Sequence, residues 1–81
     1  MSKRDKLIQR IFKGKSDITP EDAIKILENL GYVASRTSGS HLTFRKQGRS
    51  SVTIVLTQNS IKSYLLEKLQ ETLRKEGYRD E

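Results

Sequence analysis

Gly31-Tyr32-Val33-Ala34-Ser35-Arg36-Thr37-Ser38-Gly39-Ser40-His41-Leu42-Thr43-Phe44-Arg45 is the stretch whose periodicity decides the fold. Before it, apolar residues return every three or four positions; within it they return every second, the signature of a change from helix to strand. Tyr32, Ala34 and Arg36 alternate with Val33, Ser35 and Thr37, which predicts a first strand of modest apolarity. Ser38-Gly39 supplies turn chemistry. Leu42 and Phe44 then alternate with His41, Thr43 and Arg45, so the second strand has one apolar and one polar face. Gln47-Gly48 predicts another turn. Val52 to Thr57 predicts a third strand, with Val52, Ile54 and Leu56 opposed to Thr53, Val55 and Thr57. It is rich in the β-branched residues a sheet favours. Hairpin-length connections make the three strands antiparallel.

Helical patterns flank this core. Thr19 is a good N-cap, Pro20 suits the first helical position, and Glu21 and Asp22 favour the positive end of the helix dipole. Ala23, Ile24, Ile26, Leu27 and Leu30 form the apolar stripe, and Gly31 stands where a left-handed residue ends a helix. Ahead of it, Leu7, Ile8, Ile11 and Phe12 predict an amphipathic helix over Lys3 to Phe12 that stops near Gly14. After the strands, Asn59 or Ser60 is the expected cap of a last helix with the stripe Ile61, Leu65, Leu66, Leu69 and Leu73, ended by Gly77. Glu71 and Lys75 make an i,i+4 pair on its wet side. Both stronger helices need an apolar surface, and the Leu42, Phe44, Val52, Ile54 and Leu56 face provides one. The expectation is an α+β fold: an α-β-β-β-α sandwich of the double-stranded-RNA-binding-domain (dsRBD) type. Its three-stranded antiparallel sheet carries helices on one face, and one extra helix leads the chain. The chain divides into a basic helical extension (1–18), the sandwich (19–77) and a tail expected to fray (78–81).

With 81 residues, 33% of them hydrophobic, the chain builds at most one thin core. It has no cysteine, which removes disulfides and thiolate metal sites and fits a reducing compartment. No apolar run approaches the roughly 20 residues of a membrane span. The charged start (Lys3, Arg4, Asp5, Lys6) lacks the apolar stretch of a secretory signal, so the cytoplasm is the expected location. The net charge is +6, with a pI near 9.8, and it is unevenly placed. Residues 1–15 hold six bases and one acid, residues 16–31 one base and four acids, and residues 67–81 four bases and five acids. Residues 32–66 hold Arg36, Arg45, Lys46, Arg49 and Lys62 and no acid at all. A polyanionic partner fits such a segment.

His41 is the only histidine, and its alternation with Leu42 and Phe44 turns it away from the core. An imidazole both accepts and gives up protons near neutral pH, and no carboxylate nearby in sequence opposes an approaching phosphate. One histidine without cysteine, in a segment without Asp or Glu, is a poor donor set for a metal. A serine-type triad lacks a neighbouring acid to orient the ring. Phosphodiester cleavage without metal remains, with the RNA 2′-hydroxyl as internal nucleophile. His41 would act as base or acid, and Arg36, Arg45 and Lys62 are candidate electrostatic stabilisers. For each base taken singly, solvation or phosphate positioning is the plainer role. Phe44 and Tyr32 read as core; Tyr64 stands off the main stripe and is free to meet a partner or a nucleotide.

Leu30-Gly31-Tyr32, followed by Thr37-Ser38-Gly39-Ser40-His41 and an alternating strand with Phe44, resembles the Gly-Ser-His signature of HicA-type toxins. Ile61-Lys62-Ser63-Tyr64-Leu65 is similar to the Lys-Pro-x-x-hydrophobic pattern that opens that family's last helix. The likeness covers roughly residues 19 to 77. It implies the toxin of a bacterial type II toxin–antitoxin system, a dsRBD-like mRNA interferase that needs no metal or other cofactor. It also implies a HicB-type antitoxin as partner. The family's catalytic histidine falls on His41, with Gly39 and Ser40 completing the motif, and Arg36, Arg45, Lys46 and Lys62 are the candidate RNA-binding bases. The chain departs from the pattern at Leu42, where many members have a histidine or an aromatic. It also departs at Leu56-Thr57-Gln58, where many have Pro-x-His, and at Ser63, where proline is usual. A non-catalytic RNA-binding module of the same fold is the competing reading. A helix-turn-helix DNA binder is disfavoured, because the basic stretch has strand periodicity where a recognition helix is needed.

Overall fold

A computed structural model describes residues 3–81, with the backbone alone at Arg36. Met1 and Ser2 of the basic extension lie outside the described residues. The elements are α1 (Lys3–Phe12), α2 (Pro20–Asn29), β1 (Val33–Ser38), β2 (His41–Arg45), β3 (Val52–Val55) and α3 (Ser63–Lys75). The sheet has the order β1-β2-β3, antiparallel throughout. The α+β, dsRBD-like reading holds.

Local chemistry explains where the helices start and stop. The Thr19 hydroxyl accepts from the Asp22 backbone N–H at 3.1 Å, and the Asp22 carboxylate accepts from the Thr19 N–H at 3.2 Å. This reciprocal cap satisfies two donors that the first turn of α2 would leave bare. Gly31, at φ 91°, ends α2 in a conformation that a Cβ would strain. The strands then bury Phe44, Val52 and Ile54 against Ala23, Ile26 and Leu27 of α2 and Leu65, Leu69 and Leu73 of α3.

The leading helix belongs to this same core. Ile8, Ile11 and Phe12 are buried, as is Ile18 in the connection to α2. The amide of Gln70 on α3 donates to the Ile11 carbonyl at 2.9 Å. The 78–81 tail does not fray. Gln9 donates to the Arg79 carbonyl at 3.0 Å and accepts from the Glu81 N–H at 2.9 Å, and Lys13 reaches Asp80 at 3.2 Å. Tyr78 packs against the core beside these bonds. Extension and tail therefore brace each other.

Two strand boundaries depart from expectation. β3 ends at Val55 rather than Thr57: the Leu56 N–H carries the ladder one step further, to the Ser40 carbonyl at 2.8 Å, but Ser40 lies in the turn before β2, so no strand remains for Thr57 to pair with and the chain turns. Leu56, expected in the core, is 43% exposed. In β1 the register slips between Ala34, opposite Phe44, and Arg36, opposite Thr43. Ser35 is thus the extra residue of a bulge, and its hydroxyl donates to the Thr43 carbonyl at 3.4 Å. Strict alternation puts Arg36 with Ala34 on the core face; the bulge gives it a register position on the opposite face.

Candidate active site

His41 is the first residue of β2, immediately after the two-residue loop Gly39-Ser40 that joins the paired residues Ser38 and His41. Gly39 has φ 59° and Ser40 does not take a positive φ, the pattern of a type II′ hairpin turn. The bond from the Leu56 N–H fastens this loop to the end of β3. Residues directly opposite in antiparallel strands share a face, so His41 stands with Ser38 on one side and Val55 on the other. The ring is exposed, and among the described residues no hydrogen bond or ion pair engages it. Its nitrogens are open to a substrate.

The rest of this face follows from the register. Thr43 and Thr53 face each other with their hydroxyl oxygens 3.1 Å apart, and Val33 lies opposite Arg45. All three strands fall within the acid-free segment, so this face brings no carboxylate of its own. Arg36, opposite Thr43, lies diagonally from His41, a backbone separation of about 7–8 Å in regular sheets. Arg45 is exposed on the same face, four residues along β2 and therefore about 14 Å from His41. Along the backbone Arg45 is thus the more distant of the two arginines from His41.

The remaining bases divide between the ends of the molecule. Lys46 donates to both carboxylate oxygens of Glu76 at 2.9 Å and to the Leu30 carbonyl at 2.7 Å. Arg49 joins them through Nε, 3.1 Å from Glu76. The hydrogen bonds and charge of Lys46, aided by Arg49, hold the Glu76 carboxyl below the usual range despite its partial burial. Lys46, expected among the RNA-binding bases, is thus committed to joining β2, α2 and α3, and the structure does not bring it to His41. Lys62 is at the opposite end. It is the exposed N-cap residue of α3, a helix of 13 residues and about 20 Å whose far end carries Glu76. The adjacent Ile61 N–H donates to the Ile18 carbonyl at 2.8 Å, tying the start of α3 to the start of α2. No acid occupies the first turn of α3 and no side chain caps it. The positive end of its dipole is therefore uncompensated there.

Sequence reasoning missed Ser38 and Val55 as the immediate neighbours of His41, because cross-strand register is not a local property. The bulge residue Ser35 escaped for the same reason. Tyr64, 62% exposed in the first turn of α3, is surface rather than core. Among the described residues, no group of three or more His, Cys, Asp or Glu gathers in a metal-binding arrangement. No described helix is long and apolar enough to cross a membrane.

A family model described as the HicA toxin of bacterial toxin–antitoxin systems matches residues 20–77, from the first residue of α2 to the glycine after α3. This chain belongs to the HicA toxin family. The matched region holds the Gly39-Ser40-His41 loop and the whole sheet, whereas α1 and the tail lie outside it. Comparisons with curated proteins and with solved structures give no match. Membership carries the toxin role and the toxin–antitoxin setting to this HicA protein.

Proposed function

We propose that this HicA protein is an endoribonuclease that cleaves mRNA in the cytoplasm through His41, without a metal ion, and is silenced by a HicB-type antitoxin. The observation that carries the reading is an exposed imidazole, unengaged by any described side chain, at the edge of a sheet face free of carboxylates. His41 takes the proton of the ribose 2′-hydroxyl, whose oxygen attacks the adjacent phosphorus. The bond from phosphorus to the 5′-oxygen breaks, water protonates that oxygen, and the resulting hydroxide recovers the proton from the imidazolium. The products are a 2′,3′-cyclic phosphate and a 5′-hydroxyl. Arg36 is the candidate for charge at the scissile phosphate, given its register position. Lys62 and the uncapped start of α3 favour a neighbouring phosphate. Gly39 and Ser40 hold the loop that presents the ring, and Arg45 positions a phosphate further along the strand.

Purified protein should cut single-stranded RNA in the presence of a chelator, and His41→Ala should abolish cleavage while keeping the wild-type circular dichroism spectrum. Equal cleavage by the two proteins would end the proposal. A single histidine with no carboxylate on its face leaves no second side-chain proton carrier, which favours one other reading: an RNA-binding module without catalysis. That reading expects salt-sensitive binding and intact RNA at every pH for both proteins. Co-purification with the product of the adjacent gene tests the antitoxin partner.

A further inference from the structure

A groove of about 580 Å³ runs between α1 and α2, on the helical side of the sheet and away from His41. That volume lies within the roughly 300–1,000 Å³ of ordinary ligand sites. Its floor is aliphatic: Ile26 is 1% exposed, and Leu7 is half-buried against the core. Lys3, Lys6 and Lys25 are exposed along it, and among the described residues none of them makes an ion pair. Arg4 and Arg10 complete the cationic rim, each near a carboxylate outside the groove: Asp5 at 4.0 Å and Asp17 at 2.9 Å. Asp22, the single acid of the lining among the described residues, is held in the cap of α2 by the Thr19 N–H. Among the described residues, no aromatic side chain lines the groove.

We infer that this groove is a docking site for an acidic, amphipathic helix of a partner protein. The chemistry of floor and rim separates that occupant from RNA. Single-stranded RNA sites pair cations with aromatic platforms on which bases stack, and this groove has the cations without the platforms. An aliphatic floor offers nothing to a phosphodiester. It does suit the apolar stripe of a helix, whose carboxylates then reach the lysines on either side. The lengths agree: α1 and α2 have ten residues each, about 15 Å, which is close to three turns of a third helix laid between them. α1 lies ahead of the family-matched region, so the groove is built by this chain's own leading segment together with the shared α2. A helix seated there leaves the face of His41 open. The inference therefore stands or falls independently of RNA cleavage.

The test is a titration of the isotope-labelled full chain with a peptide of about three helical turns, leucines at i, i+3, i+4 and i+7 and glutamates elsewhere, followed by amide NMR. Saturable shifts confined to residues 3–12 and 20–29 are expected. Lys6→Glu/Lys25→Glu, which alters only exposed side chains, should weaken binding about tenfold or more. A peptide with serine in place of leucine should bind comparably worse to the wild type. Four results overturn the inference: no shifts at millimolar peptide, equal binding of the serine peptide, indifference to the double reversal, or displacement of the peptide by oligouridylate. Groove shifts that appear with protein concentration alone also overturn it, since the occupant is then a second copy of this chain.

Discussion

Replacing Lys46 by methionine separates a base that holds the fold from bases that hold RNA. Methionine keeps the length of the four-atom stem and removes the ammonium, which bridges Glu76 at 2.9 Å and the Leu30 carbonyl at 2.7 Å. The side chains of Lys46 and Glu76 are 29% and 14% exposed, so solvent replaces only part of what is lost. A hydrogen bond to a charged group is worth about 1.5–3 kcal/mol net. Glu76 keeps Arg49 at 3.1 Å, so its charge is not orphaned and the larger penalties of an unpaired buried ion do not apply. The expected loss is about 2 kcal/mol, or roughly 8–16 °C in melting temperature for a domain of this size. Urea unfolding followed by circular dichroism measures it, and a cycle with Glu76→Leu isolates the pair. The kinetic half is sharper. At a temperature where both proteins are folded, kcat/KM and the salt dependence of RNA binding should be unchanged. Arg45→Ala, by contrast, should lower the salt slope by about 0.7, one phosphate on a single strand. A loss below about 0.5 kcal/mol, or a fall in the salt slope of Lys46→Met, refutes the assignment.

Thr19→Ala removes one half of the reciprocal cap on α2 and should cost about 1 kcal/mol, read from the urea midpoint at constant slope. Gly39→Ala should cost about 1–2 kcal/mol from backbone strain alone, because a Cβ there meets nothing within 4 Å. D-alanine at the same position should recover most of that loss in a synthetic chain. The Glu76 carboxyl lies below its ordinary pKa in the folded protein, so its pairing stabilises fully above the unfolded value of about 4.3 and fades as pH falls through the depressed one. Glu76→Gln should therefore be the less stable protein at neutral pH and should converge with the wild type at strongly acidic pH, which urea midpoints across pH will show.

What could be read from the sequence was what local chemistry dictates. Thr19-Pro20 and Gly31 bound α2 because capping and backbone handedness act within a few residues. The alternation of His41 through Arg45 placed the ring outside the core for the same reason. The readings failed where a distant partner decides. Alternation continues unbroken through Leu56 and Thr57, yet β3 stops at Val55 because its partner β2 begins at His41 and only the turn residue Ser40 is left to bond Leu56. Asn59 and Ser60 are good capping residues, but α3 begins at Ser63, after Ile61 has been used to tie the chain to Ile18. The register of Arg36 shifts through a bulge that no spacing announces. Lys46 and Arg49 read as part of a uniformly positive segment until Glu76, about thirty positions later in the chain, returns to neutralise them.

That neutralisation matters because it divides the molecule into two ends with different tasks. Glu76 fixes one end of α3 to the β2–β3 hairpin, and the other end, with Lys62, is left positive about 20 Å away. The hairpin clamp and the ring of His41 are separated by the length of β2, so neither shares a partner with the other. A small domain of 81 residues has a stability of roughly 4–12 kcal/mol, of which the clamp contributes about 2. Even at the lower bound, about 2 kcal/mol remains when the clamp is cut, and about 97% of the molecules stay folded at 25 °C. Unfolding alone then removes about 3% of the activity, far less than the loss expected from touching His41. Any larger fall in cleavage on cutting the clamp must come from RNA contact at Lys46, and the separation of the two ends is what makes that inference valid.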